Sequence, residues 1–144
     1  MEKTSSKVYL SLGTNQGDRR RNLEEALRLL DEGLGAHWDA LSSIIESKSW
    51  GFEGGDFLNC AVRYDCTLSP YELLELCKDI EYRMGRREQL EFAPDGSRIY
   101  HDRVIDIDIL LYGDLTLDEP NLKIPHPKMR EREFIMGPLM EIFG

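Results

Sequence analysis

The residues best suited to chemistry stand late in the chain, in Arg103-Val-Ile-Asp106-Ile107-Asp108-Ile109-Leu110, where two carboxylates one residue apart interrupt an apolar run. On a strand, side chains two apart point the same way, with Cα atoms ~6.5–7 Å apart. Asp106 and Asp108 then share one face, and Ile105, Ile107, Ile109 and Leu111 line the other. Neighbouring carboxylates repel and are costly to bury together. A divalent cation beside them removes that cost, and hard oxygen ligands with open positions suit Mg²⁺ carrying waters and substrate phosphates. A solvated acidic face on an edge strand is the plainer alternative.

Cations flank the pair. Arg86 and Arg87 open an 18-residue stretch without clear period, Arg98 sits inside it and Arg103 closes it. Such a stretch in a compact domain is a functional loop or a disordered one. Its arginines could grip a polyphosphate by bidentate contacts, or simply offset Glu88 and Glu91 on a solvated loop. Further along, Ile124-Pro125-His126-Pro127 holds an imidazole between two prolines, with Arg132 and Phe134 soon after. His37 and His101 show no ligand spacing with His126, so among functional roles an anion or adenine contact suits it better than a metal, while a structural role is the commoner one for such a histidine. Phe57 and Asn59 lie on one side of an alternating segment. A ring beside an amide fits a flat heterocycle, by stacking and edge reading, or fits a second apolar layer under a loop. Lys78 and Glu81 stand one helical turn apart, off the apolar stripe, as an ion pair would.

These groups need a scaffold, and the periodicities supply one. Val8, Leu10 and Leu12 alternate as a half-buried strand ending in the turn-rich Gly13-Thr14-Asn15-Gln16-Gly17-Asp18, which lacks the glycine and lysine pattern of a phosphate loop. Asp18 can cap a helix with apolar Leu23, Ala26, Leu27, Leu30 and Leu34, stopped by Gly35. A second strand is expected over Leu41 to Ser47 and a third over Phe57 to Cys66, with a loop around Trp50 between them. Ser69-Pro70-Tyr71-Glu72 is a capping box with proline at the first helical position, and Leu73, Leu74, Cys77, Ile80 and Met84 make the stripe that follows. Val104 to Tyr112 is a fourth strand, Leu122 to Ile124 a short one, and Arg130 to Ile142 is partly helical. The order β-α-β-β-α-β predicts an α+β, ferredoxin-like fold: a largely antiparallel sheet, helices on one face and the other face free for loops and ligands.

Composition narrows the functions. The 144 residues suit one domain, spanning 1–144. With 18 Lys and Arg against 27 Asp and Glu, the net charge of -9 disfavours nucleic acid and anionic membranes, so a bound anion needs local cations or a metal. No apolar stretch approaches the ~18–20 residues of a membrane span. The opening residues carry no secretory pattern, and the cysteines, Cys60, Cys66 and Cys77, are odd in number and form no CxxC, as expected of free thiols in the cytoplasm.

Taken together, these motifs resemble the 6-hydroxymethyl-7,8-dihydropterin pyrophosphokinase family. The resemblance runs from Val8 to about Ile142. It is carried by Leu10-Ser-Leu-Gly13-Thr-Asn15, Asp56-Phe57-Leu58-Asn59-Cys-Ala-Val62, Ile80-Glu81 before Gly85-Arg86, Arg103-x-x-Asp106-Ile107-Asp108, and Ile124-Pro125-His126-Pro127 with Arg132-x-Phe134. It implies transfer of pyrophosphate from ATP to the pterin hydroxymethyl group, giving AMP. It also implies two Mg²⁺ on Asp106 and Asp108, and a pterin sandwiched by Phe57 and Phe134 and read by Asn59. Ser47, Ser49 and Trp50 would line that pocket. Arg86, Arg103, His126 and Arg132 would meet the nucleotide, Arg98 would stand in as a displaced cation, Ile109 would border the adenine, and Lys78 and Glu81 would fall on the nucleotide side. The chain departs from the family pattern at Ile99-Tyr100-His101-Asp102, where members carry Arg-Trp-Gly-Pro. A monomer is expected. The rival readings are a ferredoxin-like binding module without catalysis and a metal-dependent phosphoesterase using the same aspartates.

Overall fold

The alternating apolar residues of the first strand form the centre of the sheet. The computed structural model describes residues 4–47, 56–85 and 104–143. Its elements are β1 (Ser6–Thr14), α1 (Arg19–Leu34), β2 (Ala40–Leu41), β3 (Ile45–Ser47), β4 (Phe57–Cys66), α2 (Pro70–Arg83), β5 (Asp106–Tyr112), β6 (Leu117–Glu119), β7 (Leu122–Ile124) and α3 (Glu133–Ile142). β1 lies between β4 and β5, antiparallel to both, and β2 and β3 both pair with the far side of β4. With β2 and β3 counted as one interrupted strand, this is the ferredoxin-like order expected from the sequence. β6 and β7 form a separate hairpin.

Local chemistry accounts for the helix ends. The Asp18 carboxylate accepts from the Arg21 N–H, and Gly35 closes α1 at φ 66°, a left-handed conformation that costs glycine little. The Ser69–Glu72 capping box is formed in full at the start of α2. Asn22 donates from Nδ2 to Thr14 Oγ1 at 3.1 Å and to the Gln16 carbonyl at 2.7 Å, fastening the turn between β1 and α1.

Val8, Leu10 and Leu12 of β1 join Leu58, Cys60, Val62 and Tyr64 of β4 under α1 and α2, with Leu23, Leu30, Leu73 and Ile80 above them. All three cysteines are free and buried there. Desolvation pushes the Cys60 thiol up to about 12, so at neutral pH it behaves as a small apolar group.

Three details differ from the sequence reading. The expected second strand is broken at Ser42, whose hydroxyl accepts from the Ala61 N–H at 2.8 Å while its own N–H donates to the Ala61 carbonyl at 2.9 Å. The side chain thereby takes over a ladder bond and lets the edge bend. On β5 the register against β1 shifts between Tyr9 and Leu10, so Leu110 is an extra residue. Leu111 consequently packs with Leu110 in a second cluster, not with Ile107 and Ile109. Finally, the second sheet face is only half free. α3 covers one end of it, packing Ile135 and Leu139 on Tyr9, Leu110 and Met129. The far end of α3 is tied down by Glu141, which accepts from the Ser43 N–H at 2.9 Å and from Ser43 Oγ at 2.7 Å.

Candidate active site

The half of the second face that α3 leaves uncovered is a cleft of about 680 Å³. Its floor is the sheet. Ser11 and Gly13 come from β1, Phe57 and Asn59 from β4, and Asp106 and Asp108 from β5; Glu46 and Ser47 of β3 form one wall. The opposite wall is the chain entering α3, Glu131 to Ile135. Seven residues singled out from the sequence thus meet here: Asp106, Asp108, Ser47, Phe57, Asn59, Arg132 and Phe134.

Strand register explains their positions. Gly13 is opposite Asp106 on one side and Asn59 on the other, while Ser11 is opposite Asp108. The carboxylates are half-buried and stand beside the two smallest side chains of the floor. Two carboxylates with room above them form a hard oxygen donor set that leaves positions open, which fits Mg²⁺ better than Zn²⁺. Among the described residues no group of three or more His, Cys, Asp or Glu could enclose a metal by itself, so waters or substrate oxygens would have to complete its coordination.

The amide of Asn59 is buried, and its Nδ2 donates to Ser47 Oγ at 2.7 Å. The amide oxygen lies on the Gly13 side: a Cβ at Gly13 would stand 3.0 Å from Asn59 Oδ1 and 3.6 Å from Phe57 Cδ1. Across the cleft the Arg132 guanidinium lies 5.9 Å from the centroid of the Phe134 ring, close enough for a cation–π contact. Phe57 and Phe134 are both half-buried, so each ring has surface left for a ligand.

β5 needs support, since it is an edge strand of the sheet. Glu81 of α2 is 6% exposed, and its carboxylate accepts from the Ile107 N–H at 2.8 Å, between the two aspartates in sequence. The His126 N–H donates to the Leu110 carbonyl at 3.0 Å. Both bonds occupy edge groups that would otherwise invite another strand. The sequence reading gave Glu81 either an ion pair with Lys78 or a place on the nucleotide side; the structure buries it against β5, outside the lining of the cleft. His126 follows the cis Ile124–Pro125 peptide, and its Nδ1 accepts from the Lys128 N–H at 3.2 Å. Desolvation, then the charges of Arg132 and Lys128, hold its pKa below the usual imidazole value against the opposing pull of Asp106. The shift favours the neutral ring, and the Lys128 N–H at Nδ1 favours the tautomer that carries its proton on Nε2.

Ile109 is packed in the α1–α2 core and Lys78 is exposed on α2, so neither side chain lines the cleft. Ser49, Trp50, Arg86, Arg98 and Arg103 lie outside the described residues. The sequence reading missed Ser11, Gly13, Glu46, Glu131 and Glu133. Alternation on β1 alone places Ser11 and Gly13 on the correct face, but only the register shows that the aspartates lie beside them.

Comparison with known proteins adds a separate line of support. The profile of the family described as 7,8-dihydro-6-hydroxymethylpterin-pyrophosphokinase (HPPK) matches residues 9–144. A 2-amino-4-hydroxy-6-hydroxymethyldihydropteridine pyrophosphokinase of Aquifex aeolicus is 42% identical over 136 residues, which cover 94% of this chain and 79% of that protein. The Bacillus subtilis protein of the same name is 38% identical over 136 residues, covering 94% and 77%. Among solved structures, an HPPK-DHPS chain crystallised with substrates superposes with a TM-score of 0.66 over 96% of this chain and 40% of that one, at 14% identity, a likeness of fold.

Proposed function

We propose a division of labour in the cleft that starts from one premise: the chain belongs to the 7,8-dihydro-6-hydroxymethylpterin-pyrophosphokinase family. It transfers pyrophosphate from ATP to 6-hydroxymethyl-7,8-dihydropterin, a reaction of folate biosynthesis. The observation supporting the residue roles is that two aromatic rings, a fixed amide and two carboxylates border one volume.

In this reading Phe57 and Phe134 hold the pterin ring between them, with gains from both burial and π contact. Asn59, locked by Ser47, offers its remaining N–H and its carbonyl to the edge of the heterocycle. The hydroxymethyl oxygen is then directed toward the Asp106–Asp108 side, where the ATP phosphates belong. The oxygen forms a bond to the β-phosphorus, the bond from that phosphorus to the oxygen of the α-phosphate breaks, AMP departs, and the alcohol proton is lost. The barrier to such a transfer is lowered chiefly by alignment and charge neutralisation. Asp106 and Asp108 would hold Mg²⁺, two ions in our reading, which when bound supplies charge neutralisation at the phosphates. Arg132 faces the same volume as a fixed cation, and neutral His126 can donate from Nε2 without repelling it. We assign further phosphate contacts to Arg86, Arg98 and Arg103, and pterin contacts to Ser49 and Trp50. We place this reaction in the cytoplasm and on a monomer. Among the described residues no helix is long and apolar enough to cross a membrane.

Incubation with ATP, Mg²⁺ and the hydroxymethyl dihydropterin tests the reading. AMP produced only when pterin is present supports it. ADP or free phosphate points to a phosphoesterase, and binding without turnover to a passive module. Replacing Mg²⁺ by a chelator should abolish AMP formation; turnover that persists would remove the metal from the scheme.

A further inference from the structure

Arg19, outside the cleft, bridges the two strands that present Ser47 and Phe57. From the first turn of α1 its Nη1 donates to the Asp56 carbonyl at 2.7 Å, and its Nη2 reaches Glu46 Oε1 at 3.3 Å. Asp56 immediately precedes Phe57, and Glu46 immediately precedes Ser47. Those successors are cross-strand partners, Ser47 opposite Phe57 and Glu46 opposite Leu58. β3 is only three residues long and, among the described residues, pairs with β4 alone, so a short ladder and the Ser47–Asn59 bond are what Arg19 adds to at this end. α1 is a firm base for such a bridge, held by the Asp18 cap and by the bonds of Asn22 to the preceding turn.

We infer that Arg19 is a positioning residue for the pterin side of the cleft. It sets the spacing of Ser47 and Phe57, and through the Ser47–Asn59 bond of 2.7 Å it sets the amide that reads the heterocycle. The inference rests on the assignment of Phe57 and Asn59 to the pterin. An exposed ion pair alone contributes little, and Glu46 is 60% exposed in its side chain. The bond to the Asp56 carbonyl is different in kind: a charged donor on a backbone acceptor, which fixes chain position. Asp106 and Asp108 belong to β5, across β1 from this corner, so their alignment does not pass through Arg19.

The test compares Arg19→Met and Arg19→Lys with the parent protein in steady-state assays of both substrates, with thermal melts alongside. Arg19→Met should raise the pterin KM by about tenfold, as loss of one charge-assisted bond would, with the ATP KM within about twofold. Arg19→Lys, able to reach the carbonyl but not to fork to Glu46, should recover most of the loss. A pterin KM unchanged in Arg19→Met, or equal rises for both substrates, would overturn the inference. A melting point lowered with kinetics intact would reduce Arg19 to a fold-stabilising group and overturn it also. If the parent protein does not turn over pterin at all, the functional reading has failed, and that is seen before any variant is compared.

Discussion

Gly13→Ala isolates the geometry of the cleft floor with a single methyl group. The residue sits in β1 without a positive φ, so alanine meets no backbone penalty. Its Cβ would stand 3.0 Å from Asn59 Oδ1, and the amide must retreat by a few tenths of an ångström to reach ordinary contact. That retreat works against the 2.7 Å bond to Ser47 Oγ and against the alignment of the amide with its ligand. Weakening one such bond is worth about 1 kcal/mol, or roughly fivefold in pterin KM. Meanwhile Gly→Ala in an allowed conformation lowers unfolded-chain entropy, worth ~0.4–1 kcal/mol toward stability. The variant should therefore bind pterin more weakly and melt close to its parent, since the weakened bond and the entropy gain nearly offset. Steady-state kinetics in each substrate with a thermal melt reads both. A pterin KM within error of the parent, or a melting point several degrees lower, would show that the glycine is not there to make room for Asn59.

Other perturbations have equally definite outcomes. Asp106→Asn and Asp108→Asn should each lower turnover on the order of 10³-fold with circular dichroism unchanged, since each alters a charge beside the phosphates and not the core; near-normal turnover in both would remove them from the site. Phe134→Ala should raise the pterin KM about tenfold or more and leave the ATP KM nearly unchanged, because a stacking surface is lost on one side only; calorimetric titration of each ligand distinguishes this from general damage. Glu81→Ala should cost about 1–3 kcal/mol by stranding the Ile107 N–H, whereas Glu81→Gln keeps an acceptor there and should cost less; urea denaturation ranks the two. His126 has a folded-state pKa below its unfolded value, so the unfolded chain takes up its proton first. Stability from this group is thus full above the ordinary imidazole value and declines as pH falls below it, and His126→Gln should flatten that part of the melting curve against pH.

Much of this molecule could be read from its residues because the signals were local. The Ser69–Glu72 box and the Asp18 cap each act within one helical turn, and the alternation across Phe57–Cys66 sorts core from cleft without outside information. What escaped depends on partners far along the chain. Nothing near Ser42 reveals that Ala61 will complete its ladder, and nothing near Leu110 reveals a bulge set by the register against Tyr9 and Leu10. Glu81 reads as half of an ion pair until a strand 26 residues later brings the Ile107 N–H to it. Of the site itself, the aspartates, rings and amide each allowed a plainer reading, and their order and spacing as one set, which resembles a family pattern, picked them out. Glu46, Glu131 and Glu133 were not, because surface acids are common in a chain of net charge -9.

The position of β1 between two partners has a consequence for inhibition. A compound resting on Ser11 and Gly13 lies on backbone held from both flanks, with core side chains fastened directly beneath. Such a floor cannot sag away from a tight binder. Resistance arising there has to come from added bulk, and the bulk that expels the drug also crowds the natural ligand.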